Sequence, residues 1–125
     1  MPADKVLIVE DNADNLALLR MLLEREQYQV LVAYDGRAGL ETTRSQKPDL
    51  ILLDLDMPII DGWEMIRQLK SDPDLQSTRI VVVTAHLLPG ERHRVLNLGC
   101  DGYVSKPFKL HELLSEVQRV LVTRQ

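Results

Sequence analysis

The sequence predicts an α/β domain with a parallel sheet covered by helices on both faces. Two observations lead there. Short β-branched apolar runs alternate with longer stretches of helical periodicity, five times over the 125 residues. The strand-like runs are also continuous in apolar character instead of alternating, the pattern of strands buried on both sides.

The first strand is Val6-Leu7-Ile8-Val9. Asn12 or Asp14 then caps a helix whose inner stripe is Leu16, Leu19 and Leu23. Val30–Ala33 makes a shorter second strand. Asp35-Gly36 reads as a turn, and the helix after it, Ala38–Ser45, ends before Pro48. Leu50-Ile51-Leu52-Leu53 is the third and most apolar strand, stopping at Asp54. A loop with Pro58 and Asp61-Gly62 leads to a third helix, with Ile66 and Leu69 inward and Pro73 beyond its end. Ile80–Val83 is the fourth strand. Pro89-Gly90 precedes a helix through Val95 and Leu98, with Gly99 as its C-cap. Tyr103-Val104-Ser105 is the fifth strand. The last helix runs from Lys109 to Val122 with Leu110, Leu113, Leu114, Val117 and Leu121 inward.

Composition narrows the function. Lys and Arg number 15 against 19 Asp and Glu, a net charge of −4. A mildly acidic chain with no long basic run is a poor nucleic-acid binder. No apolar run approaches the roughly 20 residues that span a bilayer, and because the N-terminus runs straight into a strand, no signal peptide is expected. Cys100 stands alone, so no internal disulfide forms; it reads as a small buried hydrophobe in a reducing compartment. The cytoplasm is the expected location. Residues 1–125 are expected to be one domain, with no linker or internal repeat.

In an open parallel sheet, ligands bind beyond the carboxyl ends of the strands. Glu10 and Asp11 follow strand one, Asp54 ends strand three, Thr84 follows strand four, and Ser105-Lys106 end strand five. Three acids, a hydroxyl and an amine therefore share one edge of the sheet. Two carboxylates about 4 Å apart repel by roughly 4 kcal/mol at an effective dielectric of 20. Lys106 offers one positive charge, and a bound cation would supply more. Oxygen-only ligands favour Mg²⁺, Mn²⁺ or Ca²⁺ over zinc, with Asp11 and Asp54 as direct ligands beside a loop carbonyl and waters. One carboxylate can also act as a nucleophile toward phosphorus, with Lys106 and Thr84 on the remaining oxygens.

The pieces Val6-Leu7-Ile8-Val9-Glu10-Asp11, Leu52-Leu53-Asp54-Leu55-Asp56-Met57-Pro58, Asp61-Gly62, Val83-Thr84-Ala85 and Gly102-Tyr103-Val104-Ser105-Lys106-Pro107-Phe108 occur in order across nearly the whole chain. Together they resemble receiver domains of two-component response regulators, the single-domain, chemotaxis-regulator-like kind. The resemblance implies a flavodoxin-like, doubly wound five-stranded sheet of order 2-1-3-4-5. It implies that Asp54 accepts a phosphoryl group from a sensor histidine kinase or histidine phosphotransfer protein. Mg²⁺, with Mn²⁺ as a substitute, would be held by Asp11, Asp54, the Asp56 carbonyl and, through water, Glu10. Thr84 and Lys106 would grip the phosphoryl group, Thr84 and Tyr103 would act as switch residues, and the Lys106–Pro107 bond would be cis. A downstream protein would dock on the face made by the fourth helix, fifth strand and fifth helix. The chain would be a monomer, or a dimer when phosphorylated, with no attached output module, and would catalyse only its own phosphorylation and dephosphorylation.

An Asp-x-Asp after an apolar strand also suits haloacid-dehalogenase-type phosphatases. Those carry Thr or Val four residues past the first acid, where Pro58 stands, and need a cap that 125 residues hardly accommodate. A receiver-like module that only binds partners is the other alternative, set against it by five intact polar positions. Taken singly, Glu10 or Asp11 is an ordinary helix N-terminal charge, Lys106 a solvated lysine and Tyr103 a strand aromatic. His86, His93 and His111 lack ligand-like spacing and read as surface residues; Trp63 reads as helix packing. Only the joint placement at one sheet edge argues for function.

Overall fold

The computed structural model describes residues 4–55, 62–85 and 90–122. Asp56, Pro58, Asp61, His86 and Pro89 lie outside the described residues. The chain runs β1 (Lys5–Val9), α1 (Ala13–Arg25), β2 (Gln29–Ala33), α2 (Gly36–Gln46), β3 (Leu50–Asp54), α3 (Gly62–Ser71), β4 (Arg79–Thr84), α4 (Glu91–Asn97), β5 (Gly102–Ser105) and α5 (Leu110–Val122). All strand pairs are parallel, in the order β2-β1-β3-β4-β5. This is the flavodoxin-like arrangement, whose direction of winding reverses between β1 and β3.

Two apolar cores sandwich the sheet. Side chains alternate between faces along each strand, so Val6 and Ile8 join Leu50, Leu52, Val81, Val83 and Val104 on the face covered by α1 and α5. Leu7 and Val9 join Ile51, Leu53, Ile80 and Val82 on the face covered by α2, α3 and α4. β3, central in the sheet, is buried along its whole length. The edge strand β2 is only partly buried, although Val30, Leu31 and Val32 are apolar.

Caps set the helix boundaries. Asn12 caps α1 by accepting the Asn15 N–H at 2.9 Å, and Asp14 sits in the first turn, where a negative charge suits the helix dipole. Asp35-Gly36 does not form a separate turn. Asp35 is the N-cap of α2, accepting the Ala38 N–H at 2.8 Å, so that helix starts two residues earlier than its apolar pattern suggests. At the end of α4, Gly99 takes φ +98°, and the Cys100 and Gly99 N–H groups reach back to the Val95 and Leu96 carbonyls at 3.3 and 3.0 Å. This is a Schellman close, one residue past the cap position. Cys100 follows it into the core, where burial pushes its thiol up to about 12.

On α5, Leu113, Val117, Val120 and Leu121 are buried and Leu114 is half-buried, but Leu110 is exposed. At 100° per residue Leu110 lies on the inward stripe. Its exposure reflects its place in the first turn, not its angle. His93 and His111 are exposed, and Trp63 is half-buried against the core with the Arg94 guanidinium 4.0 Å from its ring centre.

Candidate functional site

Strand register brings the polar residues together. Val9 pairs with Leu53, so Glu10 and Asp54 emerge side by side from neighbouring strands. Asp54 pairs with Val83, and Thr84 pairs with Ser105, which brings Lys106 across the mouth of the sheet. Alternation puts Glu10, Asp54 and Lys106 toward the α1/α5 face. Thr84 falls on the opposite parity, with Val82 and its partner Tyr103. Thr84 and Tyr103 therefore share a strand face, and Thr84, the last residue of β4, stands at the same carboxyl end of the sheet as the acid–lysine cluster.

The Lys106 ammonium lies 3.2 Å from Glu10 Oε1 and 3.3 Å from Asp54 Oδ2, bridging residues 96 and 52 positions away in sequence. Glu10 Oε2 accepts the Asn12 N–H at 3.2 Å, so the start of α1 helps to orient it. Glu10 is 2% exposed, Asp54 8% and Thr84 0%, whereas Asp11 is exposed. Carboxylate oxygens of Glu10, Asp11 and Asp54 all lie within 4.8 Å of one another.

The electrostatics follow from that crowding. Burial raises the Glu10 carboxyl above its usual value; the Asn12 N–H opposes this, and the charge and hydrogen bond of Asp54 add to it. Burial would lower the Lys106 amine, but the Asp54 and Glu10 carboxylates outweigh it, so the net shift is upward. The lysine is held firmly charged. One ammonium bonds two carboxylates of a cluster of three, leaving negative charge that an oxygen-seeking cation would neutralise. The all-oxygen donor set fits Mg²⁺ better than zinc.

The backbone supports the arrangement. The Lys106 N–H donates to the Thr84 carbonyl at 2.9 Å, extending the β4–β5 ladder to the lysine, and the Lys106–Pro107 peptide is cis. Gly62, the first residue of α3, donates to the Leu55 carbonyl at 3.1 Å. A β-carbon there would lie 2.5 Å from Leu55 Cα and 2.8 Å from the Asp54 carbonyl oxygen. The absent side chain lets α3 brace the backbone that carries Asp54. The sequence signal for this was the glycine after Asp61, legible as a turn residue but not as a packing requirement. The predicted backbone ligand at Asp56 lies outside the described residues.

An α/β domain wound in this order, with acids and a lysine gathered at the carboxyl ends of its strands, defines a class of signalling module. Residues 6–118 match the response regulator receiver domain. The chain is 34% identical over 116 residues to the polar-differentiation response regulator DivK of Brucella anthropi, covering 93% of this chain and 94% of that one. It is 40% identical to the response regulator ArlR of Staphylococcus saprophyticus subsp. saprophyticus over 94% of this chain, and spans about half (52%) of that protein's length. Its fold superimposes with a TM-score of 0.88, at 30% identity, on the receiver domain of sensor histidine kinase PA1611 from Pseudomonas aeruginosa PAO1, covering 97% of this chain and 99% of that one. That structure holds a magnesium ion coordinated in its active-site cleft. The chain belongs to the response-regulator receiver domains of two-component systems. Among the described residues, no helix is long and apolar enough to cross a membrane.

Proposed function

We propose that this receiver domain is a phospho-acceptor switch whose acceptor is Asp54. The observation that carries the reading is the Lys106 ammonium within 3.3 Å of both Glu10 and Asp54, with Asp11 completing a cluster of acids. A bound Mg²⁺ would supply positive charge for the attacking carboxylate and the transferring phosphoryl group, held by Asp11, Asp54 and the Asp56 carbonyl, with Glu10 acting through water; Mn²⁺ would substitute.

The residues of the chain do the rest. A carboxylate oxygen of Asp54 attacks phosphorus in a phosphohistidine, the P–N bond breaks, and the imidazole nitrogen keeps the electron pair. Lys106 takes one phosphoryl oxygen and the Thr84 hydroxyl another, replacing water with fixed donors. The sensor histidine kinase or histidine phosphotransfer protein supplies the phosphoryl group. The domain turns over no other substrate and catalyses only the making and loss of its own acyl phosphate.

Phosphorylation replaces the single negative charge of the carboxylate with a phosphoryl group carrying about −1.5 to −2, spread over three strong acceptor oxygens. Moving a switch from mostly off to mostly on requires about 5.5 kcal/mol of preference for the active form. New charge-assisted contacts from Lys106 and Thr84 are the source of that bias. Thr84 shares its face with Tyr103, so its shift toward the phosphoryl group opens room into which Tyr103 turns. The altered surface lies on α4, β5 and α5, where a cavity of about 420 Å³ is lined by Arg92, Tyr103, Ser105, Phe108, Glu112 and Glu116. A downstream protein docks there. The switch works in the cytoplasm, and the receiver domain is monomeric before phosphorylation.

Incubation with acetyl phosphate and Mg²⁺, followed by intact mass, tests the reading. One added phosphoryl group is expected, absent when EDTA removes the cation. An unchanged mass in Mg²⁺ contradicts it.

A further inference from the structure

β5 is four residues long, lies at the sheet edge and, among the described residues, pairs only with β4, yet it carries Tyr103 and delivers Lys106 to the site. An edge strand leaves backbone groups with no strand partner. Here α5 supplies side chains in place of a sixth strand. Glu116 Oε2 accepts the Tyr103 N–H at 3.0 Å. Arg119 holds both oxygens of the same carboxylate, with Nε on Oε1 at 2.9 Å and Nη2 on Oε2 at 3.0 Å. The same Nη2 donates to the Asp101 carbonyl at 2.8 Å. Asp101 in turn clasps β4, its N–H on the Ile80 carbonyl at 2.8 Å and its Oδ2 accepting the Ile80 N–H at 2.9 Å.

Gly102 makes this approach feasible. A β-carbon there would lie 2.6 Å from Glu116 Oε2, so any other residue would force the carboxylate to shift from this position. An exposed i,i+3 ion pair on a helix contributes little by itself. This pair differs because both members also bond backbone outside α5, Glu116 the Tyr103 N–H and Arg119 the Asp101 carbonyl.

We infer that Glu116, oriented by Arg119 and admitted by Gly102, is a positioning residue that locks β5 against α5 and so fixes Lys106 and the backbone of Tyr103 in place, leaving the Tyr103 ring free to turn. The part of this that concerns phosphorylation rests on the proposed function; the part that concerns the strand does not. Without the clamp, β5 would keep the β4 ladder and its core packing but lose this tie to α5.

The test uses the full chain and two readouts, amide exchange at Tyr103 and the initial rate of Mg²⁺-dependent labelling by acetyl phosphate. Glu116→Ala is expected to speed Tyr103 exchange about tenfold, the equivalent of one net hydrogen bond, while the amides of β3 keep their wild-type rates. Labelling is expected to slow severalfold. The swapped pair, Glu116→Arg with Arg119→Glu, keeps opposite charges on α5 but puts a donor against the Tyr103 N–H. It is expected to behave like Glu116→Ala. Wild-type behaviour of the swapped pair would reduce the contact to an ordinary surface ion pair and overturn the inference. So would unchanged Tyr103 exchange in Glu116→Ala. Faster exchange with an unaltered labelling rate would overturn the link to Lys106. If the wild-type chain takes no phosphoryl group, the proposed function fails, and the exchange data alone decide the clamp.

Discussion

The two ends of the sheet use the same kind of side chain for opposite purposes. At the amino end, Asp49 and Asp101 each stand one residue before a strand and grip the neighbouring one. Asp49 Oδ2 accepts the Lys5 N–H at 2.7 Å, and its own N–H donates to the Lys5 carbonyl at 2.8 Å. Asp101 repeats the pattern on Ile80. At the carboxyl end, Glu10, Asp11 and Asp54 crowd together, with a single lysine against Glu10 and Asp54. One carboxylate aimed at one backbone donor completes a ladder. Three carboxylates with one ammonium leave an imbalance that a cation or a transferred group can exploit.

Substitutions at the carboxyl end should therefore alter chemistry, and those at the amino end stability. The largest effect is expected for Asp54→Asn, which should abolish labelling by acetyl phosphate while circular dichroism shows the fold retained. Lys106→Ala comes next. Removing a donor from a developing oxyanion costs about 10²–10³-fold in rate, and a loss of that order is expected in the initial rate of labelling. Mg²⁺ binding, followed by calorimetry, should persist because the carboxylates remain.

At the amino end, Asp101→Ala should lower unfolding stability by about 1–2 kcal/mol, the scale for orphaning a buried donor, as read from urea denaturation. Labelling by acetyl phosphate should continue, with any slowing modest beside that of Lys106→Ala. A loss of labelling as large as that of Lys106→Ala would erase the distinction between the two ends.

The smallest effect concerns acid stability at Glu116. The Arg119 hydrogen bond holds its carboxyl below the usual 4.5; burial opposes this, and the Tyr103 N–H and the charges of Arg119 and Arg92 reinforce it. A depressed carboxylate stabilises the fold above 4.5 and loses that contribution as pH falls through its folded value. Glu116→Gln should flatten this part of the acid limb when urea midpoints are compared across pH, and an unchanged limb would show that the pair does not feel folding.

Much of the fold was legible because buried parallel strands leave an unmistakable apolar signature, seen in Val6–Val9, Leu50–Leu53 and Ile80–Val83. The boundaries were less so. Asp35-Gly36 read as a turn because Asx caps and turns use the same chemistry, and Leu110 read as core because periodicity gives angle but not depth. For the candidate site, each polar residue was visible at the end of its strand. Which strands are neighbours is not written in periodicity; the order came from the resemblance, and the 3.2 and 3.3 Å contacts of Lys106 depend on it. Glu116 against Gly102 carried no local signal, since a carboxylate on α5 and a glycine on β5 become related only once α5 packs along the sheet edge.

Peptide mapping of the chain after brief exposure to acetyl phosphate and Mg²⁺ tests the central claim most directly. The account predicts one modified side chain, Asp54, with Asp49 and Asp101 untouched and no labelling in EDTA. Label on Glu10 or Asp11, or label that persists without the divalent cation, would contradict it.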